Sequence, residues 1–409
     1  MRVLHVIPSI SPRRGGPSQA VLDMVRAQRQ RGVDAAILTT NDDGPGLLTA
    51  LPLGLWCSHQ ELPVLAFPRW SPPLAPLREF ACSPALLQWL QRNVQHYQLL
   101  HVHALFSFPS TSAMAVARQQ GVPYILRSIG QLQHWSLRQS AGRKRLMLRL
   151  IERRNLEAAA ALHFTSDAEQ QEALALGLAT PSFVLPLGVE CPEQSAGSDH
   201  AYSDPVHSRP AGSHPAGDIP RPVQWLFLSR LHPKKQLPLL LEALALLRQR
   251  SPEASWQLHI AGDGEPAYVA QLRHQAAALG LEARIHWHGF VSGAAKVRLL
   301  QQADWFLLPS AAENFGIAVA EALAAGVPAL LSPGVALTPL VIDAAAGYGV
   351  QPGVEDWANA LAGHALQAPS DGLRQAARQL AADQFSWPAI TTRLLAQYRQ
   401  VARPCCADA

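Results

Sequence analysis

Short apolar runs alternate with stretches of helical periodicity along this chain, and the alternation runs its course twice. The first series has apolar runs at residues 3–7, 35–39, 99–102, 124–127, 161–165 and 183–185, with a helical pattern over 19–31. The second has them at 224–229, 256–261, 284–288, 305–308 and 329–331, separated by helical patterns over 238–250, 266–279 and 294–302. Buried strands linked by helices form a parallel sheet covered on both faces. The sequence therefore predicts an α/β chain of two doubly wound, Rossmann-like domains. Its 409 residues exceed what one core organises, and a hydrophobic content of 48% is enough for two.

The composition changes between residues 191 and 222, where Ser, Pro, Gly, His and Asp replace nearly all large aliphatic residues. Such a segment buries too little apolar surface to offset the entropy of ordering it, so it reads as a flexible linker. The expected domains are residues 1–190 and 223–385, followed by a tail, 386–409, with a helical pattern at 388–401. His200, His207 and His214 are spaced too widely and irregularly for a metal site and go with the solvated linker. Residues 47–83 are rich in Pro and Trp, with weak periodicity, and receive no assignment.

The five cysteines, Cys57, Cys82, Cys191, Cys405 and Cys406, have neither zinc-ligand spacing nor a disulfide framework, as expected in a reducing cytoplasm. The opening run at 3–7 is too short for a signal sequence, and no stretch approaches the roughly 20 apolar residues of a membrane span. A formal charge of +4 leaves no footprint for nucleic acid. The expectation is a soluble cytoplasmic protein that at most touches the inner face of the plasma membrane.

Glu313 and Glu321 flank the start of one predicted helix. The first lies in a loop at a strand's carboxyl end and the second in the helix's opening turns, where exposed N–H groups favour anions and sugars. Taken alone, the two carboxylates are better explained as solvated side chains beside a helix start. Ser229-Arg230 close the strand at 224–229 and Lys234-Lys235 follow, a placement that suits a diphosphate or a solvated basic loop. Gly262-Asp263-Gly264 and His288-Gly289-Phe290 close the next two strands, where tight turns also account for them. Gly15-Gly16, between the first strand and its helix, would allow close backbone approach to a phosphate or sugar, although taken alone a structural turn is the better reading.

His101 and His103 point to the same side of their strand, and with no third ligand evident nearby a packed strand end is favoured over a metal site. Beyond Arg127-Ser128-Ile129-Gly130 and His134-Trp135, the basic residues Arg143, Lys144, Arg145, Arg149, Arg153 and Arg154 interleave with Leu146, Met147, Leu148, Leu150 and Ile151. That is a basic amphipathic helix, which either lies on anionic lipid or packs into its own domain with solvated arginines. Neither glycine loop completes Gly-x-Gly-x-x-Gly, which argues against a dinucleotide-dependent dehydrogenase.

Glu313-Asn314-Phe315-Gly316-Ile317 and the stretch from Glu321 to Pro328 resemble the signature of family-4 retaining glycosyltransferases of the GT-B architecture. The resemblance covers nearly the whole chain apart from residues 47–83 and the linker, and is strongest at 224–332. It implies two Rossmann-like domains facing a central cleft, with the last helix crossing back to the first. It implies a metal-independent enzyme, needing no cofactor, that moves a hexose from a nucleotide sugar such as a UDP- or GDP-hexose to a hydroxyl of a glycan or lipid-linked glycan.

By the same resemblance Glu313 lies by the donor sugar and its phosphate, Glu321 holds the ribose, and Arg230 and Lys235 stabilise the departing diphosphate. His103 reaches the donor sugar, and Gly15, Gly16, Gly262, Gly289, Phe290, Asn314, Phe315, Gly316 and Ile317 belong to the donor site. Ser229 and Gln236 stand where the family has glycine. The stretch from Arg127 through His134 and Trp135 is similar to a branch acting in bacterial exopolysaccharide and lipopolysaccharide assembly, in which this region faces the acceptor. Sugar-nucleotide epimerases and glycogen- or sucrose-type synthases share the fold and are one alternative; a non-catalytic nucleotide-sugar-binding assembly subunit is another.

Overall fold

The computed structural model describes residues 1–138, 141–191 and 221–403. The expected linker, apart from its edges, and Cys405 and Cys406 lie outside the described residues. Two compact units are present: the first comprises Met1–Val189, Glu313–Ile317 and Asp383–Ala409, the second Glu190–Ala312 and Ala318–Ala382.

The first unit is built on strands β1 (Arg2–Val6), β2 (Asp34–Thr40), a short ribbon of β3 (Asp42–Asp43) and β4 (Gly46–Leu47), β5 (Trp56–His59), β6 (Leu62–Phe67), β7 (Leu99–His103), β8 (Tyr124–Arg127), β9 (Ala161–Phe164) and β10 (Ser182–Val184). Its main sheet has the order β10-β9-β8-β7-β1-β2-β6-β5. Every neighbouring pair is parallel except β5, which returns antiparallel along β6. Strands β5 and β6 and the helix Ala75–Glu79 occupy the Pro/Trp-rich stretch that periodicity left unassigned. The turn between β5 and β6 is made by Gln60 (φ 50°) and Glu61 (φ 66°). A two-residue hairpin normally announces its left-handed pair with Asn or Gly, and here neither appears.

Alternation along the strands sorts side chains to two cores. Leu4, Val6, Leu100, Val102 and Leu126 face one way, with Leu86, Leu90 and Met114 from helices. Val3, Ile37, Leu99 and Ile125 face the other, against Val21 and Val25 of the helix Gly16–Gln30 and Ile390, Leu394 and Tyr398 of the helix Trp387–Val401. That last helix is part of the first unit. It starts at Ser386, whose hydroxyl caps Ala389 N, and its Trp387 packs where a Cβ on Gly188 would lie, 2.3 Å from the indole ring. Burying each such large side chain contributes about 1.5–3 kcal/mol.

The second unit holds β11 (Val223–Leu228), β12 (Trp256–Ala261), β13 (Ile285–Gly289), β14 (Trp305–Leu308), β15 (Ala329–Leu331) and β16 (Gly347–Gly349), in the order β13-β12-β11-β14-β15-β16. All pairs are parallel. The sequence reading missed β16, a three-residue edge strand with glycine at both ends. Gly347 is needed there because a Cβ would lie 2.0 Å from Ala329 O. Trp225 and Trp256 stack at 4.8 Å in the core, and the Trp225 and Trp305 indoles donate to Ala365 O and Gln367 O, each at 2.9 Å.

Asp304, wholly buried ahead of β14, accepts from Arg221 Nη2 (2.8 Å), Arg374 Nη2 (2.8 Å) and Gln224 N (3.0 Å). It ties the start of β11 to the entry of β14 and to the helix Asp371–Phe385. Replacing it leaves the largely buried Arg374 guanidinium without its carboxylate. Asp304→Ala is expected to lower the stability of the second unit by about 3 kcal/mol, read by urea unfolding monitored through tryptophan fluorescence.

Candidate functional site

In the second unit, the carboxyl ends of β11, β12 and β13 bring Arg230, the Gly262-Asp263-Gly264 turn and Gly289-Phe290 side by side. Ser229 N donates to Ala261 O (3.0 Å), Leu231 N to Asp263 O (2.8 Å) and Gly262 N to Gly289 O (2.7 Å). The two glycines of the turn are a packing requirement. A Cβ on Gly262 would sit 1.9 Å from Ser229 O, and one on Gly264 2.2 Å from Leu231 O. Only bare backbone lets the Arg230 segment lie against the end of β12. Phe290 beyond it is 62% exposed.

Arg230 is exposed, whereas Lys235, at the end of the short turn Pro233–Lys235, is buried. Burial, and then the charges of Lys234 and Arg230, lower the Lys235 pKa to about 7. Lys234 is also lowered, by burial first and then by Arg230. A nearby anion would favour the charged form of two such lysines. The turn is pinned to the loop after β14, where Ala311 N (2.9 Å) and Ser310 Oγ (3.2 Å) donate to Lys234 O. Gln236 takes the left-handed conformation (φ 51°, ψ 36°) that the family serves with glycine, so the loop keeps its path at a local strain of about 1 kcal/mol. Ser229 shows no positive φ and needs no glycine.

Glu321 lies in the helix Ile317–Ala324, and its Oε1 accepts from Lys296 Nζ at 2.6 Å. Lys296, on the helix Gly293–Gln302, orients this carboxylate. Sequence reasoning did not single it out, because nothing local distinguishes one lysine on an amphipathic helix.

The first unit holds Glu313–Ile317 in a bed of polar contacts. Asn314 Nδ2 donates to Thr165 Oγ1 (3.0 Å) and Glu169 Oε2 (3.2 Å). Phe315 packs edge-on against Phe385 at 5.7 Å. Gly316 adopts φ 84°, and Ile317 Cγ2 lies 3.6 Å from where a Cβ of Gly16 would be. Glu169, wholly buried, gathers this region. Besides Asn314, it accepts from Ser128 Oγ and Gly130 N, both 2.6 Å, and from Thr165 N and Oγ1, both 2.9 Å. The loop carrying Gly15 and Gly16 is braced by buried Asp42, which receives Arg14 Nε (2.6 Å) and Nη2 (2.9 Å) and also pairs with Arg69. Neither Glu169 nor Asp42 was visible in the sequence, since each is defined by partners distant along the chain.

His103 is wholly buried, as are His5, His101 and His163. Register explains the cluster: β1 sets His5 beside His101, β7 sets His103 beside Arg127, and β8 sets Arg127 beside His163. Burial is the main cause that lowers all four histidines, His5 to about 4 and His163 to about 3. Ring nitrogens of His5, His101 and His103 fall within 4.8 Å of one another, so the third imidazole missing from the local sequence exists on β1. The rings hydrogen-bond to one another and to Gln28, Tyr398 and Leu185 O, with His103 Nδ1 left without a partner among the described residues.

Arg127, carried over as an acceptor-side residue, is buried, because β8 turns it to the inner face. Its pKa is lowered to about 10, by burial foremost. His134 and Trp135 are exposed, with His134 N donating to Glu172 Oε2 at 2.7 Å. The basic run is helical through Ala141–Met147, Leu148–Glu152 and Arg153–Glu157. It leaves Leu146 (59%), Leu150 (67%) and Ile151 (44%) open to solvent. Buried Glu152, Asn155 and Leu156 anchor its other side.

Comparison with known proteins agrees with this geometry. A glycosyl transferase 4-like domain matches residues 15–188, and a domain of the glycosyl transferases group 1 matches residues 216–378. The chain is 27% identical, over 98% of its length and 93% of the relative's, to the GDP-mannose:cellobiosyl-diphosphopolyprenol alpha-mannosyltransferase of Komagataeibacter xylinus. A phosphatidyl-myo-inositol mannosyltransferase of Mycobacterium tuberculosis is 33% identical over 43% of this chain and 47% of its own. Among solved structures, sucrose-phosphate synthase of Thermosynechococcus elongatus superposes with a TM-score of 0.73 at 18% identity, covering 98% of this chain and 99% of that one. HepE of Anabaena, solved with UDP and glucose, gives 0.68 at 19%, covering 98% and 100%. The chain is a glycosyltransferase and belongs to family 4 of the GT-B architecture.

Proposed function

We propose that this glycosyltransferase moves mannose from GDP-mannose to a hydroxyl of a lipid-linked glycan in cell-envelope polysaccharide assembly, with retention of configuration and without a metal ion. The observation that carries the reading is the cation cluster of Lys235, Lys234 and Arg230 at the end of β11, with Lys235 buried. Breaking the bond between a sugar and a nucleotide releases a nucleoside diphosphate, and preorganised cations stabilise that charge as it develops. They do so in the role a divalent ion fills elsewhere. The donor and acceptor classes rest on the full-length likeness to the K. xylinus mannosyltransferase.

In this mechanism Arg230 and Lys235 hold the departing diphosphate, and its leaving oxygen takes the acceptor proton on the same face of the sugar. Glu313 positions the sugar. Glu321, held by Lys296, accepts from the ribose hydroxyls. The exposed Leu146, Leu150 and Ile151, set among arginines, rest on anionic lipid and keep the enzyme at the surface where a lipid-linked acceptor resides. Among the described residues no helix is long and apolar enough to cross a membrane, which leaves surface contact as the mode of attachment proposed for them.

The direct test is GDP release and mannose transfer from GDP-mannose, with and without a polyprenyl-diphosphate-linked disaccharide, beside a UDP-glucose control. Release that depends on the acceptor is expected. Release without any acceptor, or preference for UDP-glucose, overturns the assignment. Lys235→Met is expected to lower kcat by about a hundredfold, Glu313→Ala to cut turnover, and Glu321→Ala to raise KM more than it lowers kcat.

A second prediction follows from the Lys235 pKa of about 7 in the free protein. The phosphates of a nucleotide sugar do not titrate near neutrality, and binding them raises the ammonium's pKa. Binding is therefore coupled to proton uptake. Affinity for GDP-mannose is greatest below pH about 7 and declines above it by up to about tenfold per pH unit. Calorimetry in buffers of different ionisation enthalpy measures the uptake, and Lys235→Met should abolish it.

The membrane contact is tested by flotation with vesicles rich in phosphatidylglycerol. The wild type is expected to float and to be released by high salt. The triple variant Leu146→Ser, Leu150→Ser, Ile151→Ser is expected to stay in the soluble fraction.

A further inference from the structure

Four buried imidazoles, one amide and one phenol form a continuous chain in the first unit, and its hydrogen positions can be worked out from one end. Leu185 O can only accept, so His163 donates to it through Nε2 (2.8 Å). Burial lowers the histidines and keeps them neutral near pH 7. His163 Nδ1 is then bare and takes the proton of His101 Nε2 (3.3 Å). His101 Nδ1 is bare in turn and accepts from the Tyr398 hydroxyl (2.6 Å).

With its one proton committed, Tyr398 oxygen accepts from Gln28 Nε2 (3.1 Å). Gln28 Oε1 therefore accepts from His5 Nε2 (3.0 Å), and His5 Nδ1 accepts from His103 Nε2 (3.0 Å). Every donor points toward Leu185, an alignment in which each bond polarises the next. Reversing the order would set a bare His163 nitrogen against a carbonyl oxygen.

The chain ends at His103 Nδ1, a buried lone pair with no partner among the described residues. Arg127, its register neighbour on β8, has Nε, Nη1 and Nη2 buried and likewise without partners. We infer that Tyr398 and Gln28 are positioning residues that fix His103 as the Nε2–H tautomer, so that its Nδ1 receives a hydroxyl proton of the donor sugar while the Arg127 N–H groups donate to the hydroxyl oxygen. The sugar contact rests on the proposed donor role of His103, whereas the tautomer assignment does not. A hydroxyl serves because it donates and accepts at once. The helix Trp387–Val401 thus acts on His103 from a distance, through Tyr398.

The test is long-range proton–nitrogen correlation spectroscopy on the full chain labelled with 15N-histidine, with His103 resonances identified by their loss in His103→Gln. At neutral pH His103 is expected to carry its proton on Nε2 with a bare Nδ1. A proton on Nδ1, or an imidazolium, overturns the assignment. In Tyr398→Phe, His163 should keep its Nε2 proton, because Leu185 O still requires it. His103, cut off from that anchor, should populate both tautomers, with kcat/KM for mannose transfer down about tenfold in protein that still unfolds cooperatively. A single Nε2–H form of His103 in Tyr398→Phe overturns the relay. If His103→Gln transfers mannose at the wild-type rate while the spectra stand as expected, the sugar contact is overturned and the tautomer relay holds.

Discussion

Lys235 is carried into the interior at the end of β11 beside two further cations, and burial pulls its pKa down to about 7. Removing an ammonium from water costs several kcal/mol unless something restores its charge, so this turn is stable only where the backbone around it is rigid. Much of the second unit supplies that rigidity. Gly262 and Gly264 let β12 close on the Arg230 segment, and Ser310 and Ala311 clamp Lys234 O. Asp304 secures the base of the sheet on which all of this stands. On the proposed function, this turn is where the departing diphosphate is held.

The first unit meets the same cost with the opposite sign of charge. Glu169 and Asp42 are buried carboxylates, each surrounded by donors: five hydrogen bonds reach Glu169, and two arginines reach Asp42. Such carboxylates act as rigid nodes, because removing any single donor leaves the others in place. One node holds Asn314, and the other holds the loop carrying Gly15 and Gly16. Arg127 and His103 are among the side chains whose buried polar atoms have no hydrogen-bond partner among the described residues.

Strand positions in both units followed from apolar runs, and the strands at 256–261, 305–308 and 329–331 begin and end where the pattern does. Failures had local causes. The β5–β6 hairpin turns on Gln60 and Glu61, residues that carry no turn signal, and β16 is three residues with glycine at each end. Arg230, Lys235 and Glu321 were legible because each sits beside a strand end or helix start in its own segment. Lys296 and Glu169 were not, since their partners lie 25 residues or more away for the one and up to 145 for the other.

The sequence by itself determined two predominantly parallel α/β sheets and the cations and carboxylates at their ends, because apolar periodicity and the residues that close each strand are local properties. Only the tertiary structure decided what those groups experience. Strand register, which no single segment encodes, set His5, His101, His103, Arg127 and His163 on one buried face. Docking of the final helix added Tyr398 to them. Burial then lowered Lys235 and the histidines, a consequence of the surrounding packing, which follows from contacts between residues far apart along the chain.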